Sequence, residues 1–210
     1  MLNQKPDLTY NCTMRTYRTV NLNALWFLIA LNVAIFVIEL MVGGYPITVN
    51  NPVVLFLGLN TAQLSQQPWT IITSVFVHGG FAHIIFNMIS LYFLGSFFLR
   101  AAGERSFLAV FFLGGLAGNL LFVLLAPFSI GIGASGAIFA IGGALAVMVP
   151  KVRVFIIPIP VPMPLWIAII ILFFLSFLFA GIAWQAHLGG LLLGLIAGLI
   201  LKKRRQIYYL

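Results

Sequence analysis

Six apolar runs, separated by polar breaks or by glycine and proline, organise the chain. They span about Ala24 to Val42, Ala82 to Phe98, Ser106 to Leu125, Ser135 to Val149, Leu165 to Ile182 and Gln185 to Leu201. Runs of this kind predict membrane-spanning helices. The expected architecture is an all-α polytopic membrane protein, a six-helix transmembrane bundle over 24–201. A polar tail, 1–23, precedes the bundle, and a basic tail, 202–210, follows it. The first 23 residues have no apolar core of the signal-peptide kind. No simple repeat is visible.

Two connections stand out. Pro158, Pro160, Pro162 and Pro164 alternate along 158–164. Alternate residues there lack an N–H and restrict their neighbours, so the segment predicts an extended linker and not a helix. The loop 43–68 is long for a bundle and carries the apolar stretch Pro52 to Leu59. That stretch reads equally as a segment in the membrane interface or as a loop packed on its own bundle.

Composition agrees with lipid as the main solvent. Of 210 residues, 62% are hydrophobic and only 7% charged, and 20 are glycine. So little charge could not cover a soluble core of this size. The net charge of +8 does not point to nucleic acid, because the charges lie between the apolar runs and at the ends. Instead they orient the bundle. Lys5, Arg15 and Arg18 precede the first run, Arg100 and Arg105 lie between the second and third, and Lys151 and Arg153 between the fourth and fifth. Lys202, Lys203, Arg204 and Arg205 follow the sixth. All 11 basic residues fall on one side, while 43–68, 127–134 and 183–184 carry none. Basic residues favour cytoplasmic loops, so both termini are expected in the cytoplasm. The one cysteine, Cys12, allows no internal disulfide.

Ionisable groups at membrane depth point to function. The three histidines are His78, His83 and His187. On the expected topology all three enter the bundle from the outer side, where Ser135 begins the fourth run. Ser135 stands in Gly133-Ala134-Ser135-Gly136. At a helix start its neighbouring N–H groups lack intrahelical partners and can stabilise an oxyanion. The same pattern also fits an ordinary N-cap serine after a glycine turn.

His187 opens a stripe of Gly190, Gly194 and Gly198, which faces a possible counterpart of Gly136, Ala140 and Ala144. Such stripes serve plain helix packing, and close packing here would also bring His187 within reach of Ser135. A neutral imidazole beside a serine hydroxyl is the usual base for a nucleophile. Asp7, Glu39 and Glu104 are the only acidic residues, and none is expected near His187, so the arrangement would be a dyad. Phe139, one turn along from Ser135, could pack on the imidazole face or serve as plain core. His83 and Asn87 share a helix face at i, i+4, and both side chains suit an oxyanion donor. A metal site on the three histidines competes, but it has no nearby carboxylate or thiolate. Neither metal nor cofactor is expected.

The fourth run is short. Its roughly 15 residues rise about 22 Å against a hydrocarbon core of about 30 Å. Ser135 would then lie below the outer surface, in a water-filled cavity open to the outside.

With these residues in view, the chain resembles the rhomboid family of intramembrane serine proteases. The resemblance covers roughly residues 24–201. It rests on His78, His83 and Asn87, on the GxSG motif at Gly133 to Gly136, and on the HxxGxxxG motif at His187, Gly190 and Gly194. It implies Ser135 as nucleophile and His187 as general base. His83, Asn87 and the Ser135 N–H would form the oxyanion hole, with His78 in a structural role. It further implies single-span membrane-protein substrates cut in or near the span, and lateral entry near the second and fifth helices. Two positions depart from the family pattern. Thr70 follows Trp69 where arginine is frequent, and Leu99 stands where glutamate is. The rival classes are a catalytically silent rhomboid-like protein that binds membrane clients, and a transporter or channel. A transporter would carry polar residues through the whole bundle depth, whereas here they cluster at one end.

Overall fold

The computed structural model describes residues 20–156, 159–178 and 181–204. The tail expected over 1–23, the end of that over 202–210, and Pro158 lie mostly or wholly outside the described residues. The fold is mainly helical. Helix α1 spans Asn23–Gly43, α4 Phe81–Ala102, α5 Glu104–Leu125 and α8 Trp184–Arg204. Among the described residues these four helices are long and apolar enough to cross a membrane. Two shorter apolar helices, α6 at Ser135–Met148 and α7 at Leu165–Leu175, complete the set.

Burial follows lipid-solvent logic. Helix α1 buries only Leu25, Leu28, Asn32, Phe36 and Glu39, a narrow stripe at three- and four-residue spacing. Its two polar members, Asn32 and Glu39, are wholly buried, while Phe27 and Met41 are exposed. In hydrocarbon an unpaired amide or carboxyl is costly and an exposed phenyl ring is not. The polar side chains therefore turn inward and the large apolar ones outward.

The core is a three-helix seam of α5, α6 and α8, where glycine permits backbone contact. A Cβ on Gly190 would collide with the Gly136 carbonyl, and one on Gly194 with the Ala140 carbonyl. On Gly198 it would lie 2.7 Å from the Ala144 carbonyl oxygen. On the other side of α8, a Cβ on Gly189 would fall 2.9 Å from the Gly118 Cα, and one on Gly118 2.6 Å from the Ala186 carbonyl oxygen. With no apolar driving force between helices in lipid, such close approach and its dispersion contacts hold the bundle together.

The loop between α1 and α4 is structured. It contains α2, Pro52–Leu57, whose first turn is capped by the Asn51 side chain accepting the Val53 N–H at 2.9 Å. Strand β1, Leu59–Asn60, pairs antiparallel with β2, Ile130–Gly131. A single turn, α3, follows at Thr70–Thr73. Asn51 Nδ2 donates to the Glu39 carbonyl at 2.8 Å, Trp69 Nε1 to the Phe56 carbonyl at 2.8 Å, and Thr73 Oγ1 to the Leu57 carbonyl at 2.8 Å. Thr70 is itself buried and donates to the Gln67 carbonyl at 2.7 Å. Leu99 is buried in the main core.

Three sequence expectations need correction. The chain is not purely helical, because β1 with β2, and a second pair of strands described next, form two short antiparallel pairs. The proline-rich segment is extended, but it is not a lone linker. It forms β4, Ile159–Pro164, paired with β3, Arg153–Ile156. Prolines at every second position put all the missing N–H groups on one edge, leaving the other edge free to pair. The Leu165 N–H, in phase with the unmodified edge, donates to the Val152 carbonyl at 2.8 Å. Finally, α7 stops at Leu175 and does not reach Ile182. The N–H groups of Ser176, Phe177 and Leu178 each turn back to the carbonyl three residues earlier, tightening the last turn.

Candidate active site

Ser135 is the first residue of α6. The chain reaches it through a turn in which Gly133 has φ +115°, a conformation that suits glycine. That turn is fastened from outside α6. The Gly133 N–H donates to the Ser74 carbonyl at 2.9 Å and the Thr61 N–H to the Ser129 carbonyl at 3.0 Å. Thr61 Oγ1 also accepts the Ser129 N–H at 3.0 Å. Ser74 is held in turn by Asn119, whose Nδ2 donates to Ser74 Oγ and to the Ile71 carbonyl, both at 2.8 Å. The long loop and α5 thus set the position from which Ser135 starts.

His187 lies in the first turn of α8 and is buried, like the helix seam that carries it. Its Nε2 is 2.7 Å from Ser135 Oγ. The Phe139 ring stacks on the imidazole, with centroids 4.5 Å apart and planes at 28°. Phe173 of α7 meets Phe139 edge-on at 6.3 Å. The other imidazole nitrogen, Nδ1, is 2.7 Å from Ser176 Oγ, just beyond the end of α7.

Ser176 was not among the residues singled out from sequence. It stands 11 residues before His187, in the turn that ends a different helix, so no local spacing joins them. One signal was present, since Ser176 is a lone hydroxyl within the apolar run Phe173 to Leu178. A polar group in such a run needs a partner.

His83 occupies the first turn of α4, beside the Ser135 turn. A Cβ on Gly133 would sit 2.6 Å from His83 Nε2, so only glycine admits the ring. The Gly79 N–H donates to His83 Nδ1 at 3.3 Å. That makes Nδ1 an acceptor and leaves the proton on Nε2, the nitrogen facing Gly133. Asn87, one turn along, donates its Nδ2 to the His83 carbonyl at 2.8 Å, and its buried Oδ1 has no partner among the described residues.

His78 is fully buried and outside the spans. Its Nδ1 lies 3.3 Å from the Phe76 carbonyl, and its ring meets the His83 ring edge-on at 5.0 Å. Burial, then the neighbouring His83, push the His78 imidazole down to about 3, so it is neutral at physiological pH. The His78 N–H donates to the Glu39 carboxyl, at 3.1 and 3.4 Å to its two oxygens. Glu39 therefore secures the His78 turn rather than approaching His187. Among the described residues, no three His, Cys, Asp or Glu side chains are grouped to hold a metal ion.

The structure thus brings Ser135, His187, Phe139, Gly133, Gly136, Gly190 and His83 into one cluster, with Asn87 and His78 at its edge and Gly194 a turn deeper in the seam.

A family model described as the Rhomboid domain matches residues 65–204, more than half of the chain. The chain belongs to the rhomboid family, and its long apolar helices make it a multi-pass membrane protein. It is 28% identical over 153 residues to the candidate rhomboid protease YdcA of Bacillus subtilis (strain 168), covering 72% of this chain and 76% of that protein. To the Rhomboid protease GluP of the same organism it is 30% identical over 174 residues, 82% of this chain and 33% of that protein. To Rhomboid-like protease 3 of Toxoplasma gondii it is 33% identical over 86 residues, 41% of this chain and 33% of that protein. It therefore spans about three quarters of the first relative and a third of the other two.

Proposed function

We propose that this protein is an intramembrane serine endopeptidase that hydrolyses peptide bonds in or near transmembrane segments of single-span membrane proteins. The observation that carries the reading is the 2.7 Å contact between Ser135 Oγ and His187 Nε2 at a helix start within a bundle of apolar helices. The likeness to Rhomboid protease GluP and to Rhomboid-like protease 3 supports the same reaction class.

In this reading Ser135 Oγ attacks the scissile carbonyl carbon while His187 Nε2 takes its proton. The carbonyl oxygen becomes an oxyanion, met by the Ser135 N–H at the α6 N-terminus and by His83 Nε2–H. The second N–H of Asn87 completes the set once substrate is bound. Collapse breaks the C–N bond, and the imidazolium returns its proton to the leaving amine. Water, deprotonated by His187, then attacks the acyl-serine ester, and its C–O bond breaks as the imidazolium returns that proton to Ser135 Oγ. Every proton is accounted for within the dyad, and the reaction uses neither metal nor cofactor.

The topology belongs to the same proposal. α6 and α7 are the fourth and fifth of six spans, and the basic residues put both termini in the cytoplasm. The 14 residues of α6 rise about 21 Å, short of a hydrocarbon core of about 30 Å. Ser135 then lies below the outer headgroups, in a cavity open to the extracytoplasmic side. The protein resides in the cell membrane, and its domain runs over 24–201.

Fluorophosphonate labelling of the detergent-solubilised protein tests the reading. Wild type should label, and Ser135→Ala and His187→Ala should lose labelling while staying folded. A folded wild type that leaves the probe untouched would replace the hydrolase with a rhomboid-like protein that binds membrane clients.

A further inference from the structure

We infer that Ser176 is a positioning residue for His187 and completes a directed Ser–His–Ser relay. The inference rests on the hydrolase reading above and adds to it a residue that selects the imidazole tautomer.

The argument starts at the end of α7. The Ser176 N–H turns back to the Phe173 carbonyl at 3.0 Å, three residues away. That tightening takes from the Leu172 carbonyl the N–H that a continuing α-helix would supply. The Ser176 hydroxyl lies 3.3 Å from this carbonyl. A carbonyl oxygen can only accept, so the Ser176 proton points at Leu172. The Ser176 Oγ lone pairs are then what faces His187 Nδ1 at 2.7 Å. Nδ1 must carry the imidazole proton to bond there. In a neutral ring that leaves Nε2 without one, and its lone pair receives the Ser135 hydroxyl proton across 2.7 Å.

Four groups on three helices therefore share one hydrogen-bond direction, from Ser135 through His187 and Ser176 to the Leu172 carbonyl. The opposite tautomer would set the Nδ1 lone pair against the lone pairs of Ser176 Oγ, and it would make Nε2 a donor that cannot take the Ser135 proton. This is the orienting part that a carboxylate plays in other serine hydrolases, and among the described residues no acidic side chain stands there. A neutral hydroxyl does the same steering in a buried site without introducing an unpaired charge. It also keeps the relay short, because Ser176 is itself buried and closed off from solvent. Phe139 stacked on the ring face cannot supply this information. Stacking fixes the plane of the ring, but both tautomers stack alike.

The test compares Ser176→Thr with Ser176→Val in full-length protein, using the fluorophosphonate probe. The two replacements have nearly the same shape, and only threonine keeps the hydroxyl. The maximal labelling rate and the half-saturating probe concentration are measured separately, and thermal unfolding in detergent reports folding. Valine should lower the maximal rate by about 10- to 100-fold, the range set by losing one hydrogen bond and part of a general base. Its half-saturating concentration should stay within about twofold, since the residue does not touch the probe. Threonine should recover the rate to within about threefold of wild type, and both variants should melt alike.

A labelled wild type with an unimpaired valine variant would overturn the relay and leave the hydrolase reading intact. So would threonine and valine losing rate equally, because shape and not the hydroxyl would then be responsible. An unlabelled, folded wild type would overturn both.

Discussion

Helices α8 and α7 both pack on α6, and a side chain from α8 and one from the turn after α7 meet at the Ser135 cluster, but the two helices are held by opposite means. α8 lies against α6 with Gly190, Gly194 and Gly198 on the facing carbonyls of Gly136, Ala140 and Ala144. α7 buries only Leu165, Ala168 and Ile169, and it exposes Trp166, Ile170 and Phe174. The first contact is backbone on backbone and has almost no room to yield. The second is side chain on side chain, with flexible ends. The difference matters for the site. His187, whose Nε2 meets Ser135 Oγ, comes from the rigid seam, while Ser176, which meets Nδ1, comes from the end of the softer helix.

Substitutions should separate the two contacts by size of effect. Gly194→Leu drives a side chain into the Ala140 backbone, which cannot move without shifting α6. We expect a loss of at least about 3 kcal/mol, the upper end for overpacked cores, together with loss of fluorophosphonate labelling. Unfolding and labelling in the same detergent would check it, and a stable, fully labelled variant would show that the seam is not rigid. Ile169→Ala removes one of the three buried side chains of α7. Lipid is as apolar as the interior, so only the lost packing counts and not transfer from water. The expected cost is about 1–2 kcal/mol, below the 2–5 typical of soluble cores, read by thermal unfolding.

Gly142→Ala is the smallest change and the sharpest control. Its new Cβ would meet Ile169 Cδ1 at 2.6 Å, the far end of a flexible side chain. The shift should stay within about 1 kcal/mol of wild type, since the isoleucine can change rotamer and alanine favours the helix. A large loss in the same unfolding assay would mean that α7 is as tightly seated as α8.

The same contrast governs how much could be read from sequence. The glycine stripe of α8 was legible because a helix repeats its face every three or four residues, so Gly190, Gly194 and Gly198 declare a surface by spacing alone. The apolar runs were legible because lipid demands length and hydrophobicity from each span. The end of α7 was not legible. Every residue from Phe173 to Phe177 except Ser176 is apolar, and nothing in that run shows where the last turn tightens. The alternating prolines showed an extended segment, but not its partner, because pairing depends on where β3 returns. Glu39 could be placed near the outer end of α1, yet its contact with the His78 N–H joins residues 39 apart.

The sequence by itself determined a polytopic chain of apolar helices, the confinement of its basic residues to the tails and the breaks between runs, and a short set of polar residues expensive enough in lipid to need a purpose. Those properties follow from composition and local period, and each residue expresses them without reference to distant neighbours. Only the tertiary structure decided which polar groups meet. It set Ser135 against His187, His83 against Gly133, and Ser176 against the far side of the imidazole. Hydrogen bonds act over about 3 Å and demand direction, and contacts of that range between separate helices exist only after packing has fixed their distance and rotation.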